Sequence, residues 1–269
     1  MTSEYLLGGR LSELERLQLQ ARVWEPAGRS LLAGLGEGDG RSALDVGCGA
    51  MGLLRPLAEW VGPRGSVVGT DVDERLLGAA AAFVEAEGLR NVTVVHDDLF
   101  NTKLEPRSFD VVHARFQLAP LGRPDEQLDV YCRLARPGGT LLLEEPDTGS
   151  WRFNPSAPAS ERLVELIRNT FAAAGGDFDA GRMLPALLRR RGLEPTIDAR
   201  VVALASGHPY LRLPLQFAAS LEQRLLALMP ADELETLKAE AALELASADR
   251  WGTSFTLIQT HARINAAAY

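Results

Sequence analysis

LDVGCGAMG (residues 44–52) is the stretch on which the fold turns. A short apolar strand, Ala43–Val46, carries Asp45 and runs into Gly47-Cys48-Gly49-Ala50-Met51-Gly52, after which a helix opens. Glycines at G-x-G-x-x-G spacing, between a strand and a helix, let the backbone come close to a ligand because no side chain holds it off. Asp71 ends the next strand, about 20 residues on, where such folds hold a ribose hydroxyl. The glycines alone fit a nicotinamide or flavin dinucleotide as well as another nucleoside-bearing cofactor.

The neighbouring carboxylates favour one of these. Asp45 stands two residues before the first glycine, where a diphosphate at the helix N-terminus would meet its charge unfavourably. S-adenosylmethionine has no phosphate and carries an ammonium and a sulfonium, so an acid there is tolerable or useful. A further pair, Asp97-Asp98, closes the third strand and suits an adenine amino group.

Strands and helices alternate outward from the loop. VVGTD (67–71), VTVVHDD (92–98), FDVVHARF (109–116) and GTLLLEEP (139–146) read as strands. DERLLGAAAAFVEAEG (73–88) is a helix stopped at Gly88, and a second helix spans about 125–135 before Pro137-Gly138-Gly139. Short β-branched strands between helices predict a parallel sheet buried on both faces.

An amphipathic helix over 10–34 precedes this core, with Pro26 expected to divide it. After Pro146 come helices near 158–174 and 180–191, a strand at 196–205, a helical stretch over 211–247 broken by Pro214 and Pro230, and a strand at 254–264. The two late strands suit an antiparallel hairpin at the sheet edge. The expected architecture is one Rossmann-like α/β domain over 1–269, a seven-stranded mostly parallel sheet with helices on both faces. Residues 1–40 form an N-terminal helical cover, 41–148 the cofactor-binding core, and 149–269 a C-terminal helical lid with the last two strands.

Bulk properties narrow the partners. A net charge of −8 over 269 residues offers no general basic field for nucleic acid or an anionic membrane. The run Arg189-Arg190-Arg191 falls at a helix end, where cations complement the dipole. Two cysteines, Cys48 and Cys132, form no disulfide framework and lack metal-ligand spacing, so no metal is expected. With no secretory signal and no membrane-length apolar run, the expectation is a cytoplasmic monomer or homodimer acting on a small molecule.

The blocks LDVGCGAMG, VVGTDVD, VVHDDLF, FDVVHARF and LARPGGTLLLEEPD, in this order, resemble the class I S-adenosylmethionine-dependent methyltransferases. The similarity is strongest over about 40–148 and closest to the branch with the menaquinone and ubiquinone C-methyltransferases and many bacterial natural-product methyltransferases. It implies that Gly47 and Gly49 admit the methionine part of S-adenosylmethionine, with Asp45 contacting its amino group directly or through water. It implies that Asp71 takes the ribose hydroxyls, Val72 packs on adenine, and Asp98 accepts from the adenine amino group beside the Leu99 backbone. Arg115 and Gln117 would line the methyl end, with Tyr5 and Gln20 reaching the carboxylate and amino group. The family's loop, D-x-G-x-G-x-G, would place glycine at position 51; here Met51 stands there and glycine follows at 52.

Methyl transfer needs alignment of donor and acceptor, and a base only if the acceptor must lose a proton. The candidate catalytic residues are His113, His208 and Asp147. A histidine hydrogen-bonded within the sheet is the competing reading of His113, and turn chemistry that of Asp147. Glu145 also faces the ligand end of its strand, whereas Glu144 points to the opposite face. Trp24, Phe116, Trp151, Tyr210 and Phe217, with Glu145, are the candidate walls of an acceptor pocket, and core packing is the other reading of each aromatic. Two rival functions remain: an NAD(P)-dependent oxidoreductase, and a non-catalytic or cyclase protein on the same fold.

Overall fold

The computed structural model describes residues 11–265. After helix α1 (Leu11–Gly34), strands and helices alternate: β1 (Ser42–Val46), α2 (Leu54–Val61), β2 (Ser66–Asp71), α3 (Glu74–Ala86), β3 (Val92–His96) and β4 (Phe109–Arg115). Then come α4 (Leu118–Leu121), α5 (Pro124–Leu134) and β5 (Ala135–Asp147). The main sheet has the order β3-β2-β1-β4-β5-β10-β7, where β7 is Thr196–Arg200 and β10 is Thr256–Arg263. The first five strands run parallel; β10 is antiparallel to both β5 and β7. The strand order reverses between β1 and β4, which opens a crevice beyond their C-terminal ends.

Alternation along the strands divides the core into two. Ala43, Val111 and Leu142 join Leu54, Leu57 and Leu77 on one face of the sheet. Leu44, Val112, Leu141 and Leu143 join Leu128, Tyr131 and Leu163 on the other. This is the expected seven-stranded Rossmann-like sheet with its antiparallel edge.

Several boundaries differ from expectation. α1 is continuous through Pro26, because Pro26 and Arg22 lie on the exposed face and water can serve the carbonyl that a proline cannot. β5 begins at Ala135; its pairing steps from Phe109↔Ala135 to Val111↔Thr140, so residues 136–139 bulge out of the ladder. The expected strand over 196–205 is two pieces: β7 in the main sheet, and β8 (Ala203–Leu204) in a second, three-stranded sheet of order β6-β9-β8. Here β6 is Arg152–Asn154 and β9 is Trp251–Thr253.

The remaining helices are α6 (Pro158–Ala173), α7 (Leu184–Arg190), α8 (Leu213–Ser220), α9 (Glu222–Leu225) and α10 (Ala231–Leu245). Pro214 lies in the first turn of α8 and Pro230 caps α10, so both start helices rather than break one. α6, α8 and α10 pack together as a roof beside α1 over the C-terminal end of the sheet. Among the described residues no helix is long and apolar enough to cross a membrane.

Candidate functional site

A cavity of about 420 Å³ opens beyond the C-terminal ends of β1, β2 and β4, between the glycine loop, α1 and the roof. Gly47, Gly49 and Gly52 all take positive φ, at 63°, 56° and 48°. A Cβ on Gly49 would meet little besides Leu17 at 3.7 Å, so the loop backbone there faces open space. A Cβ on Gly52 would fall 2.2 Å from Asp45 Oδ2 and 2.8 Å from the Cys48 carbonyl. Residue 52 is therefore tight against backbone as well as side chain, whereas a Cβ on Gly47 would meet the Gln117 side chain, 2.1 Å away. Met51 has no positive φ, and the displaced glycine sits where the turn needs it.

Carboxylates hold the loop. Asp45 Oδ2 accepts the Leu53 N–H at 2.7 Å, at the entrance to α2, and Asp71 Oδ2 accepts the Gly49 N–H at 2.9 Å. Asp71 Oδ1 accepts from the Asp73 N–H, and burial raises its carboxyl above the usual range. Arg115 Nη2 donates to the Gly52 carbonyl at 2.9 Å, while its Nη1 is buried with no hydrogen-bond partner among the described residues.

Beneath the loop lies a buried polar row. His113 Nδ1 is 2.6 Å from Asp45 Oδ1 and its Nε2 is 2.9 Å from Glu144 Oε1. Burial opposes a charge on the ring, but the two carboxylates outweigh it and lift His113 to about 9. Burial likewise opposes the Glu144 charge, and the His113 hydrogen bond, with Arg115 nearby, holds it below the ordinary range. His113 lines the cavity, yet both its nitrogens are committed, so it offers no lone pair for a proton. This is the sheet-bound arrangement that competes with the base reading of His113.

Of the expected cofactor residues, Gln20, Asp45, Gly47, Gly49, Asp71, Val72, Asp98, Leu99, Arg115 and Gln117 all line the cavity. Val72 is an exposed apolar side chain there, at 53%. Tyr5 lies outside the described residues. Phe116 and Phe217 line the cavity as expected. Phe116 does so at φ 57°, an unusual conformation for a bulky residue and one that clusters at functional sites.

The structure keeps the other candidates away from the cavity. His208 is half-buried and its Nδ1 accepts the Tyr210 N–H, capping a short turn. Asp147 pairs with Arg182 at 2.6 Å and accepts from the Gly149 N–H, the turn chemistry. Glu145 is fully buried and accepts the N–H groups of Gln117, Leu118 and Ala119; burial raises it to about 7. It braces the segment that lines the cavity instead of facing it. Trp24 and Tyr210 bond to each other in the core, and Trp151 packs on Phe178 and Phe255.

The aromatic wall includes Phe116, Phe171, Phe178, Phe217 and Phe255, of which Phe171 on α6, Phe178 in the loop after it and Phe255 escaped the sequence reading. Arg16 was missed too: it is 2% exposed, bonded to Glu13 and Gln20, and lies over the Phe217 ring at 4.6 Å. Its spacing of four from Gln20 on one helix was the available signal.

Comparison with known proteins agrees with this geometry. A family model described as a methyltransferase domain matches residues 37–185, and the chain belongs to that family. It is 38% identical over 136 residues to nocamycin O-methyltransferase of Saccharothrix syringae, covering 49% of each chain. It is 35% identical over 124 residues to a demethylmenaquinone methyltransferase of Shouchella clausii, covering 46% of this chain and 50% of the relative. The chain thus spans about half the length of the curated relatives it matches. A SAM-dependent methyltransferase from Aquifex aeolicus shares the fold, with a TM-score of 0.57 at 18% identity over 96% of this chain and all of that one.

Proposed function

We propose that this chain is an S-adenosylmethionine-dependent methyltransferase that acts on an oxygen, carbon or nitrogen atom of a small, largely apolar metabolite. The observation that carries the reading is a cavity with two unlike ends. One end has the open glycine loop, Asp71, Val72, Asp98 and Arg115; the other is a wall of phenylalanines.

The polar end suits the donor residue by residue. Gly49 opens the loop backbone to the cavity, Gly47 lines it beside Gln117, and Asp71 has lone pairs left for ribose hydroxyls after serving the loop. Val72 offers an apolar face to adenine, with Asp98 and the Leu99 backbone at its edge. Arg115 brings a cation with an unserved N–H, and Gln20, Asp45 and Gln117 complete the amino-acid end. A bound S-adenosylmethionine supplies an electrophilic methyl carbon on a cationic sulfur. The protein's part is alignment and exclusion of water, which the buried aromatic wall favours.

A dinucleotide fits less well. The Leu53 and Gly49 N–H groups, which a diphosphate would need, are taken by Asp45 and Asp71. The same reading takes residues 1–269 as one domain, a cytoplasmic monomer or homodimer that engages no nucleic acid, in keeping with its charge of −8. Isothermal titration of the full chain with S-adenosylmethionine, S-adenosylhomocysteine and NADH tests it. Binding of the first two is expected; binding of NADH alone overturns it. An extract search for mass gains of one methylene then finds the acceptor.

A further inference from the structure

We infer that the buried chain Asp45–His113–Glu144–Gln259 is the positioning element of the glycine loop, with His113 present as a doubly protonated imidazolium. The four side chains come from adjacent strands β1, β4, β5 and β10, and none is more than 1% exposed. Asp45 pairs in register with His113, and Glu144 with Gln259, so the sheet itself sets their spacing.

The two ring contacts need two protons, and Glu144, held below the ordinary carboxyl range by the His113 hydrogen bond and Arg115 despite its burial, does not supply one. A neutral imidazole has one N–H and one lone pair. Here both ring nitrogens face carboxylate oxygens, at 2.6 Å and 2.9 Å. A neutral ring would press a lone pair against one of them in a dry interior, a costly arrangement. The imidazolium serves both. Glu144 Oε2 is in turn served by Gln259 Nε2 at 2.9 Å.

The charged groups around the ring are consistent with this state. Asp45 faces it from β1 and Glu144 from β5, and Arg115 of its own strand stands 3.9 Å from the same Glu144 oxygen. The buried Cys48 thiol lies near Asp45 and near Asp71 of β2, and burial pushes that thiol up, so it adds no charge. The rise of His113 to about 9 follows from the same two carboxylates.

The row ends at the loop. Asp45 holds the Leu53 N–H and Arg115 holds the Gly52 carbonyl, so the turn into α2 is gripped from beneath by two side chains, one fixed by His113 and the other beside Glu144. His113 is therefore a positioning residue that acts through Asp45. Deprotonation removes one donor from the row and loosens the loop.

Two measurements on the full chain test this, and only the second rests on the methyl-donor reading of the cavity. First, ring ¹⁵N shifts of histidine-labelled protein, assigned with His113→Asn, are followed between about pH 6 and pH 10. Both His113 nitrogens are expected to be protonated at neutral pH and to titrate near 9; a neutral ring at neutral pH overturns the inference. Second, S-adenosylmethionine affinity is measured against pH for the wild type and His113→Asn. The wild type is expected to weaken about tenfold as pH passes through the His113 titration, the equivalent of one charge-assisted hydrogen bond. His113→Asn is expected to start about tenfold weaker and to show only the slope that the donor's own ammonium gives both proteins. A wild-type curve with the same slope as the variant's, or a variant that binds as tightly as wild type, overturns it. If His113→Asn does not fold, the wild-type NMR and pH curves decide. If the wild type binds no S-adenosylmethionine at any pH, the methyl-donor reading fails alone. Hydrogen exchange at the Leu53 amide then reads the loop: protection must drop as His113 titrates, and unchanged protection overturns the inference.

Discussion

The indole N–H of Trp24 donates to the hydroxyl of Tyr210 at 3.0 Å, joining α1 to the turn that leads into the roof. Both side chains are buried and neither lines the cavity. Tyr210→Phe leaves the indole N–H without that acceptor and is expected to cost about 1–3 kcal/mol in urea unfolding. Cofactor affinity should be unchanged. A variant of wild-type stability, or one that loses the cofactor, contradicts the assignment.

Gly52 and Met51 respond differently to substitution. Gly52→Ala puts a Cβ into Asp45 Oδ2 and the Cys48 carbonyl at a positive φ. It should weaken S-adenosylmethionine binding at least about tenfold, as the loop must move. Met51→Gly, which matches the family's spacing, should not tighten binding, because residue 51 has no positive φ to relieve. Calorimetric titration of both variants separates the two positions.

Glu145 gives stability a pH dependence of its own. Burial raises its carboxyl from 4.5 to about 7, only partly offset by three backbone N–H donors. A raised folded-state value means that the contribution is full below about pH 4.5 and is lost as pH rises through about 7. Glu145→Gln removes this slope. The stability difference between wild type and variant should therefore shift in the variant's favour across that window, and a pH-independent difference in urea unfolding speaks against it.

Phe255 sits at the junction of the aromatic cluster, with ring centroids 5.4 Å from Trp24, 5.6 Å from Phe116 and 5.9 Å from Trp151. Phe255→Ala is expected to cost about 3–5 kcal/mol. Trp251, four residues earlier and 50% exposed, should lose no more than about 0.5 kcal/mol on truncation. Equal losses in thermal or urea unfolding would deny Phe255 its central place.

The parallel core was legible because its strands carry compact apolar runs, and β1, β2 and β3 lead into a glycine or a carboxylate that has local work to do. Asp45, Asp71 and Asp98 stand at strand ends in the sequence and at the cavity in the fold. The roof was less legible. β8 and β9 are two and three residues long, too short for a period, and their pairing is set by chain that comes from far away. Aromatic residues were misplaced for a related reason: Trp24, Trp151 and Phe255 share one cluster, and nothing local distinguishes the ring that faces a cavity from the one behind it. His113 was marked as a candidate base, but its two partners lie on different strands, so its committed state appears only in three dimensions.

The small β6-β9-β8 sheet stitches together chain from near residues 152, 203 and 252, each an excursion between strands of the main sheet. The wall that holds Phe171, Phe178 and Phe217 is thereby fastened to itself and hung from β5, β7 and β10. The glycine loop follows β1 and is held by Asp71 of β2. Substitutions in the phenylalanine panel therefore fall outside the strand register that carries the glycine loop.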